Sequence, residues 1–274
     1  MKPVCLVLGA GAGIGGTVAK KFALEGYHSC LCRRSDQDGL DRLISNIEEK
    51  GGSASGYLIN AIEENVLEDL ILNIEKDLGP IEVLVYNLGA QTGMKLLNET
   101  TLKEFEWGWR MADLGLFRVA KVLMPLMEER GSGTFLVTSA TAAMRGNKNQ
   151  HSHAAAMGGR RMLCQTLNAE FASKGIHVAH IVVDGMVDAP DTLGKMLGKE
   201  LFQQLRETKE TKKIGLTAFN KTMLRNKMTL HNSEKEEIGY ITSGCFSPIL
   251  KKSIGMGYIK NVSSNLDKLY VKVR

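Results

Sequence analysis

Short apolar runs alternate with amphipathic segments along most of this 274-residue chain. Residues 4–8 form an apolar run with the length of a buried strand, and residues 17–23 carry apolar side chains at helical spacing. The alternation continues, with strands predicted at 28–34, about 53–60 and 81–86 and helices predicted at about 37–50 and 63–78. A regular strand–helix step of this kind predicts an α/β fold with a doubly wound parallel sheet.

The pattern changes near residue 206. Residues 207–213 are a run of charged and polar residues, and short β-type runs without helices follow at 214–219, 227–231, 238–242, 254–259 and 269–273. This spacing predicts a small antiparallel barrel or sandwich. We therefore predict a doubly wound α/β domain at 1–205, a charged linker at 206–213 and a β module at 214–274.

A glycine-rich turn joins the first predicted strand to the first helix. Gly9, Gly13 and Gly15 allow the backbone to turn tightly and to approach phosphates, whose charge meets the N–H groups at the helix start. Strand, turn and helix together predict a dinucleotide pocket, with Gly9, Gly13, Ile14 and Gly15 against the cofactor.

The end of the second predicted strand points to the form of the dinucleotide. Arg33 and Arg34 stand where an acidic residue would bind the ribose 2′-hydroxyl of NAD, and an arginine there accommodates the 2′-phosphate of NADP. We therefore predict NADP, with NAD as the less favoured alternative. Asn60 ends the third strand and is predicted to touch the adenine.

Several motifs resemble the short-chain dehydrogenase/reductase family over residues 3–205. They are the spaced glycines Gly9, Gly13 and Gly15, the Asn87–Xaa–Gly89 turn, a strand over 134–139 that ends in Ser139, and the strand and loop at 175–185. The resemblance implies that Asn87 and Gly89 also contact the cofactor. It further implies long helices at about 102–129 and 150–173 that pair subunits into a dimer or tetramer, and a helical segment at 190–205 that covers a small-molecule substrate.

The catalytic positions depart from the family pattern, which is a serine, a tyrosine with a lysine four residues later, and an asparagine. Ser139 is present, whereas His153, Met157 and Ala112 stand at the other three positions. Histidine can move a proton at neutral pH, so Ser139 and His153 are the candidate catalytic pair. His151 or Ser152 facing the cleft is an open alternative, and Lys148, Arg160 or Arg161 are candidates for the missing cation.

The last segment has a second resemblance. Residues 223–226, 238–250 and 254–258 are similar to the C-terminal β domain of the glycine-cleavage T protein, a folate-dependent aminomethyltransferase, over about 212–274. Arg225 matches an arginine of that family, but the other folate-enclosing domains have no counterpart here. We therefore interpret the segment as a structural or docking module, with a folate binder as the alternative.

Charge, hydropathy and cysteine content limit the kinds of partner and the cellular compartment that we expect. Residues 1–205 have a net charge of −3 and residues 206–274 a net charge of +8, yet the basic segment lacks a clustered run with aromatic residues, so nucleic-acid binding is not expected. No apolar run is long enough for a membrane span, and the five scattered cysteines indicate free thiols in a cytoplasmic protein. No metal site is expected.

Three functions follow from these features. The leading one is an atypical short-chain oxidoreductase that binds NADP(H), with weak or altered hydride transfer to a carbonyl or alcohol substrate. The alternatives are a catalytically silent dinucleotide sensor or scaffold, and a fused fragment linked to folate-dependent one-carbon metabolism.

Overall fold

The computed structural model describes residues 2–89, 94–184, 187, 211–220, 222–247, 250–260 and 268–271. The chain divides into two compact units, Met1–Met196 and Leu197–Arg274. Each unit has its own sheet and its own core.

The first unit is built on a six-stranded parallel sheet. Its strand order, β3-β2-β1-β4-β5-β6, reverses direction between β1 and β4, and ligands of such folds bind where the order reverses. The strands are β1 (Val4–Leu8), β2 (His28–Arg33), β3 (Ser53–Leu58), β4 (Ile81–Tyr86), β5 (Gly133–Ala140) and β6 (Ile176–Val183).

Helices connect these strands and cover the sheet on both faces. They are α1 (Ile14–Leu24), α2 (Gln37–Glu48), α3 (Val66–Asp77), α4 (Leu102–Trp109), α5 (Gly115–Arg130) and α6 (His151–Phe171). A π-helical turn, Arg110–Leu114, joins α4 to α5 without a break. The helix predicted over 102–129 is therefore present but changes its winding in the middle.

Alternate residues of the central strands supply two separate apolar layers. Leu6 and Leu8 of β1 pack in one layer with α3 and α5, and Cys5 and Val7 pack in the other with α1 and α2. Every residue of β1 is buried, as expected for a strand with helices on both faces. The loops that follow β1 are therefore supported by a strand that is packed on both faces.

The second unit is a five-stranded antiparallel sheet in the order β11-β8-β9-β10-β7. Its strands are β7 (Thr211–Thr217), β8 (Thr229–His231), β9 (Glu237–Ser247), β10 (Lys252–Lys260) and β11 (Tyr270–Val271). Its apolar core includes Leu224, Leu230 and Ile241. The backbone is closely packed, since a Cβ at Gly244 would lie 2.0 Å from the carbonyl oxygen of Leu224.

The structure confirms the predicted fold class, a doubly wound parallel sheet followed by a small antiparallel β module. The predicted linker is shorter than expected on its far side, because residues 211–213 already belong to β7. Residues 206–210 and the helix predicted at 190–205 lie outside the described residues. Among the helices that are described, none has the length and apolar character needed to cross a bilayer.

Candidate functional site

The turn between β1 and α1 depends on glycine at two points. Gly9 has a φ of +90°, and a Cβ there would lie 2.7 Å from the carbonyl oxygen of Asn87. A Cβ at Gly15 would lie 2.1 Å from the carbonyl oxygen of Gly9. Backbone oxygens cannot give way as a flexible side chain can, so the corner excludes any larger residue at these positions.

Asn87 fixes the same corner from the end of β4. Its Nδ2 donates to the carbonyl oxygen of Gly9 at 2.9 Å, and its Oδ1 accepts from the Thr138 hydroxyl at 2.7 Å. The ends of β1, β4 and β5 are thereby joined through one side chain. The structure thus brings Gly9, Gly15 and Asn87 together, as the sequence predicts.

A cleft of about 930 Å³ opens beside this corner. Gly11 and Gly89 line it, and a Cβ at either would meet no atom within 4 Å, so a side chain there would project into open space. Within the described part of the chain no side chain caps the start of α1, and its first turn has no acidic residue. Open backbone at a helix start suits an anionic group, so the residues present fit a dinucleotide phosphate.

The wall of the cleft beyond β2 is basic. Lys20, Arg34 and Arg42 line it, and none of their three side chains has an ion pair or hydrogen bond with another described residue. Arg33 differs: its side chain is only 10 % exposed, its Nε donates to the carbonyl oxygen of Ala10 at 2.7 Å, and its Nη1 lies 2.7 Å from a carboxylate oxygen of Asp36. The two predicted arginines therefore stand in different environments.

The remaining predicted contacts lie near the cleft but are not all in its wall. Gly13 caps α1, and Ile14 is the first residue of that helix. Asn60 follows β3, and its amide nitrogen donates to the Glu63 carboxylate at 2.9 Å. The lining residues are Gly9, Gly11, Ala12, Gly16, Thr17, Lys20, Arg33, Arg34, Ser35, Asp36, Gly39, Arg42, Leu43, Asn46, Asn87, Leu88, Gly89, Trp107 and Met111.

The predicted reaction centre joins the end of β5 to the first turns of α6. Ser139 is buried, and its hydroxyl lies 3.7 Å from the sulfur of Met157. His153 stands one turn before Met157 on the same helix and is half-buried. Met157 packs with Ala112 and with alanines of the turn after β5. The side chain that contacts Ser139 therefore belongs to a cluster of small, apolar residues.

Comparisons with known proteins agree with this geometry. The family model of the short chain dehydrogenases matches residues 3–200. The chain belongs to the short chain dehydrogenase family. A second model, that of the glycine cleavage T-protein C-terminal barrel domain, matches residues 212–274. Both resemblances found in the sequence are therefore confirmed.

Individual relatives cover the first unit. A 2-dehydro-3-deoxy-D-gluconate 5-dehydrogenase of Formosa agariphila is 31 % identical over 178 residues, which are 64 % of this chain and 66 % of that protein. The 3-oxoacyl-acyl-carrier-protein reductase FabG of Thermotoga maritima is 27 % identical over 207 residues, 75 % of this chain and 80 % of FabG. Both of these relatives are oxidoreductases by name.

Solved structures give the same result. A short-chain dehydrogenase/reductase from Burkholderia xenovorans superposes with a TM-score of 0.65 and 25 % identity, covering 72 % of this chain and 79 % of that chain. A NAD⁺-bound xylitol dehydrogenase superposes with a TM-score of 0.63 and 25 % identity, covering 66 % of this chain and 70 % of that chain.

The other residues considered for this short chain dehydrogenase site have varied surroundings. Ser152 is buried and donates its hydroxyl to the carbonyl oxygen of Glu104 in α4 at 3.0 Å. His151 and Arg161 are half-buried, and Lys148 is exposed before α6 begins. Ser152 is thus held by α4, which disfavours it as a replacement for His153.

Arg160 is the most deeply buried cation of the described residues, with 1 % of its surface exposed. Its guanidinium donates to three backbone carbonyls, those of Ala112 at 3.3 Å, Thr138 at 2.8 Å and Leu88 at 2.8 Å. It also lies 5.1 Å from the centre of the buried Tyr86 ring. Burial lowers the pKa of Arg160, although the carbonyls satisfy its donors.

Asp113 lies near this guanidinium. It is 8 % exposed, and neither of its carboxylate oxygens has a hydrogen-bond partner among the described residues. Burial raises the pKa of Asp113 to about 6, and the charge of Arg160 partly offsets that rise. Asp113 and Arg160 are therefore two buried groups of opposite charge that attract each other without a direct hydrogen bond.

An apolar groove of about 430 Å³ runs along the outer faces of α5 and α6. Phe117 is 51 % exposed and Trp109 is 47 % exposed beside it, whereas Val119 and Leu123 of α5 and Leu167 of α6 are buried in the core. The residues lining the groove are Trp109, Asp113, Leu114, Phe117, Ala155, Gly159 and Leu163.

Proposed function

We propose that this protein binds NADP(H) and transfers hydride weakly, or with altered chemistry, to or from a small carbonyl or alcohol substrate. The observation that carries the proposal is the contrast between the cleft, which we call the nucleotide side, and the predicted reaction centre around Ser139, which we call the reaction side. The nucleotide side has the glycine corner and three basic side chains without a partner among the described residues. The reaction side retains only Ser139 of the family's four polar groups and has His153 at the tyrosine position.

The nucleotide side would hold the cofactor through backbone and charge. The turn at Gly9–Gly15 would receive the phosphates, Asn87 and Gly89 would border the nicotinamide side, and Arg34 with Lys20 and Arg42 would face the 2′-phosphate. Arg33 also lines the cleft, but its guanidinium is already engaged by the carbonyl oxygen of Ala10 and the carboxylate of Asp36. When bound, the cofactor supplies or accepts the hydride.

The reaction side would handle the proton. The His153 imidazole is of the class that exchanges protons near neutral pH, and the Ser139 hydroxyl can orient a substrate oxygen by a hydrogen bond. Met157 cannot act as the family's lysine does, because a thioether carries no charge. We expect a slow reaction for this reason.

A second candidate is a dinucleotide-binding protein without turnover. The specific observation in its favour is the apolar cluster around Met157, since the Ser139 hydroxyl contacts the Met157 sulfur and has no other side-chain partner among the described residues. The folate alternative has less support, since Arg225 is exposed and its guanidinium has no polar contact among the described residues.

We further propose a homodimer or homotetramer that pairs through the groove beside Phe117 and Trp109, since exposed aromatic side chains at a groove are typical of interfaces. The five cysteines are all free, with four buried, which supports a reducing compartment such as the cytoplasm.

A binding titration followed by a turnover assay tests the proposal. We expect NADPH to bind with micromolar affinity, and we expect slow NADPH oxidation with at least one member of a panel of carbonyl compounds. His153→Ala should abolish the oxidation and leave NADPH binding unchanged. Tight binding with no turnover would support the silent alternative, and failure to bind either NADPH or NADH would contradict both.

A further inference from the structure

We propose that Arg160 is a positioning residue that holds one wall of the dinucleotide cleft in its binding shape. The inference rests on the proposed function, because it concerns the same cleft. Arg160 does not line the cleft and so does not touch the cofactor itself. It acts through the three backbone segments whose carbonyl oxygens it binds.

Each of these segments reaches the cleft wall. Leu88 lines the cleft directly, next to Gly89. Ala112 follows Met111, another lining residue, in the π-helical turn. Thr138 binds the side chain of Asn87, which in turn holds the carbonyl of Gly9. One guanidinium therefore connects the ends of β4 and β5 to the turn between α4 and α5.

Tyr86 reinforces the same connection. Its ring lies against the Arg160 guanidinium, and its hydroxyl donates to the carbonyl oxygen of Met111 at 2.5 Å. The residue is fully buried at the end of β4. The cleft wall is thus fixed at Met111 and Ala112 by two neighbouring polar side chains, and the cation–aromatic contact keeps those side chains together.

The shape of the guanidinium matters for this role. Its donors point in fixed directions from one plane, so it can bind three carbonyls from three segments at once, whereas an ammonium group is a single point of charge. Asp113 does not compete for these donors, since neither of its oxygens is hydrogen-bonded to a described residue. It balances the buried charge from a distance.

This arrangement allows stability and positioning to be separated. Arg160→Met removes the clamp but leaves the Asp113 carboxylate buried without a neighbouring cation, which destabilises the fold. Adding Asp113→Leu removes that carboxylate, and replacing both members of a buried charged pair by apolar residues is often neutral for stability. Arg161→Met is the matched control, because Arg161 is the adjacent arginine and is not part of the clamp.

The experiment measures the melting temperature and the NADPH dissociation constant of the full chain for each variant. We expect Arg160→Met to melt about 5 °C or more below the wild type. Asp113→Leu/Arg160→Met should recover the part of that loss that comes from the buried carboxylate and still bind NADPH about tenfold more weakly than the wild type, which corresponds to about 1.4 kcal/mol. Arg161→Met should bind NADPH as the wild type does.

Recovery of both melting temperature and NADPH affinity in the double variant would overturn the inference, since Arg160 would then have only a structural role. If the double variant does not fold, the Arg160→Lys variant provides the test. Weaker NADPH binding together with a cooperative melting transition would support the positioning role of Arg160. Unchanged NADPH binding would overturn it. Failure of the wild type to bind any dinucleotide would remove the proposed function and this inference together, which distinguishes that outcome from a failure of the inference alone.

Discussion

The nucleotide side, at the cleft, and the reaction side, around Ser139 and His153, show how differently backbone and side-chain features tolerate substitution. On the nucleotide side, added side chains at Gly9 or Gly15 would collide with backbone oxygens, so the turn cannot change without moving two strands. On the reaction side, His153 and Met157 project their side chains from α6, where one side chain can replace another with less effect on the backbone than in a tight turn. Binding and chemistry therefore reside in different kinds of structure.

The reaction side is repacked as well as altered. Met157 and Ala112 form one apolar cluster with the alanines after β5, and Arg160 supplies charge-assisted hydrogen bonds behind it. A buried side chain that satisfies three carbonyls stabilises its neighbours, so Arg160 contributes to the stability of this region. The comparison predicts that chemistry can be changed on this side while binding persists.

The largest effect is expected from restoring the family pattern. Ala112→Asn, His153→Tyr and Met157→Lys together should raise the rate of NADPH-dependent carbonyl reduction by about 10²–10⁴-fold, the usual contribution of a positioned acid–base group. The measurement is kcat on the carbonyl panel at saturating NADPH.

The single variant His153→Tyr is the control for this restoration, and it should gain far less because the lysine and asparagine are still missing. A triple variant that folds and binds NADPH but gains no activity would show that the reaction side has been rebuilt around other groups. The reaction side would then catalyse a different reaction instead of having lost its activity.

The next largest effect concerns the nucleotide side. Gly15→Ala places a Cβ 2.1 Å from the carbonyl oxygen of Gly9 and should weaken NADPH binding by about 100-fold or more, because displacement of the turn moves the phosphate-binding backbone. Gly158→Ala is the matched control in α6, where an added Cβ meets no atom within 4 Å. Titration of both variants by fluorescence measures the difference, and equal affinities would contradict the assigned role of the turn.

Much of the fold could be predicted because local and tertiary preferences agree. The strand over 81–86 matches β4, and four of the five predicted β runs of the second unit overlap its strands by most of their length. The π-helical turn could not be predicted, because apolar spacing does not reveal a single wider turn.

The candidate site was only partly predictable. Glycine-rich turns and strand ends can be recognised in a sequence, so Gly9, Asn87 and Arg34 could be placed near the predicted cofactor from the sequence alone. Arg160 was considered only as a replacement cation, although its place in the buried stripe of α6, between Ala156 and Cys164, was a signal that it enters the core. Its three carbonyl partners come from segments 22 to 72 residues away, and no local pattern encodes such pairings.

The smallest predicted effect distinguishes two adjacent arginines at the end of β2. Arg34→Ala should weaken NADPH binding by about tenfold, or about 1.4 kcal/mol, and leave NADH binding unchanged, because Arg34 lines the cleft without an ion-pair partner among the described residues.

Arg33→Ala provides the contrast. It should weaken NADPH and NADH binding to a similar extent and lower the melting temperature, because Arg33 binds the carbonyl of Ala10 in the phosphate-binding turn and the carboxylate that caps α2. The decisive measurement is the dissociation constant of NADH divided by that of NADPH. If Arg33→Ala lowered that ratio and Arg34→Ala did not, the buried arginine would be the one that recognises the 2′-phosphate, and Asp36 would have to release it when the nucleotide binds.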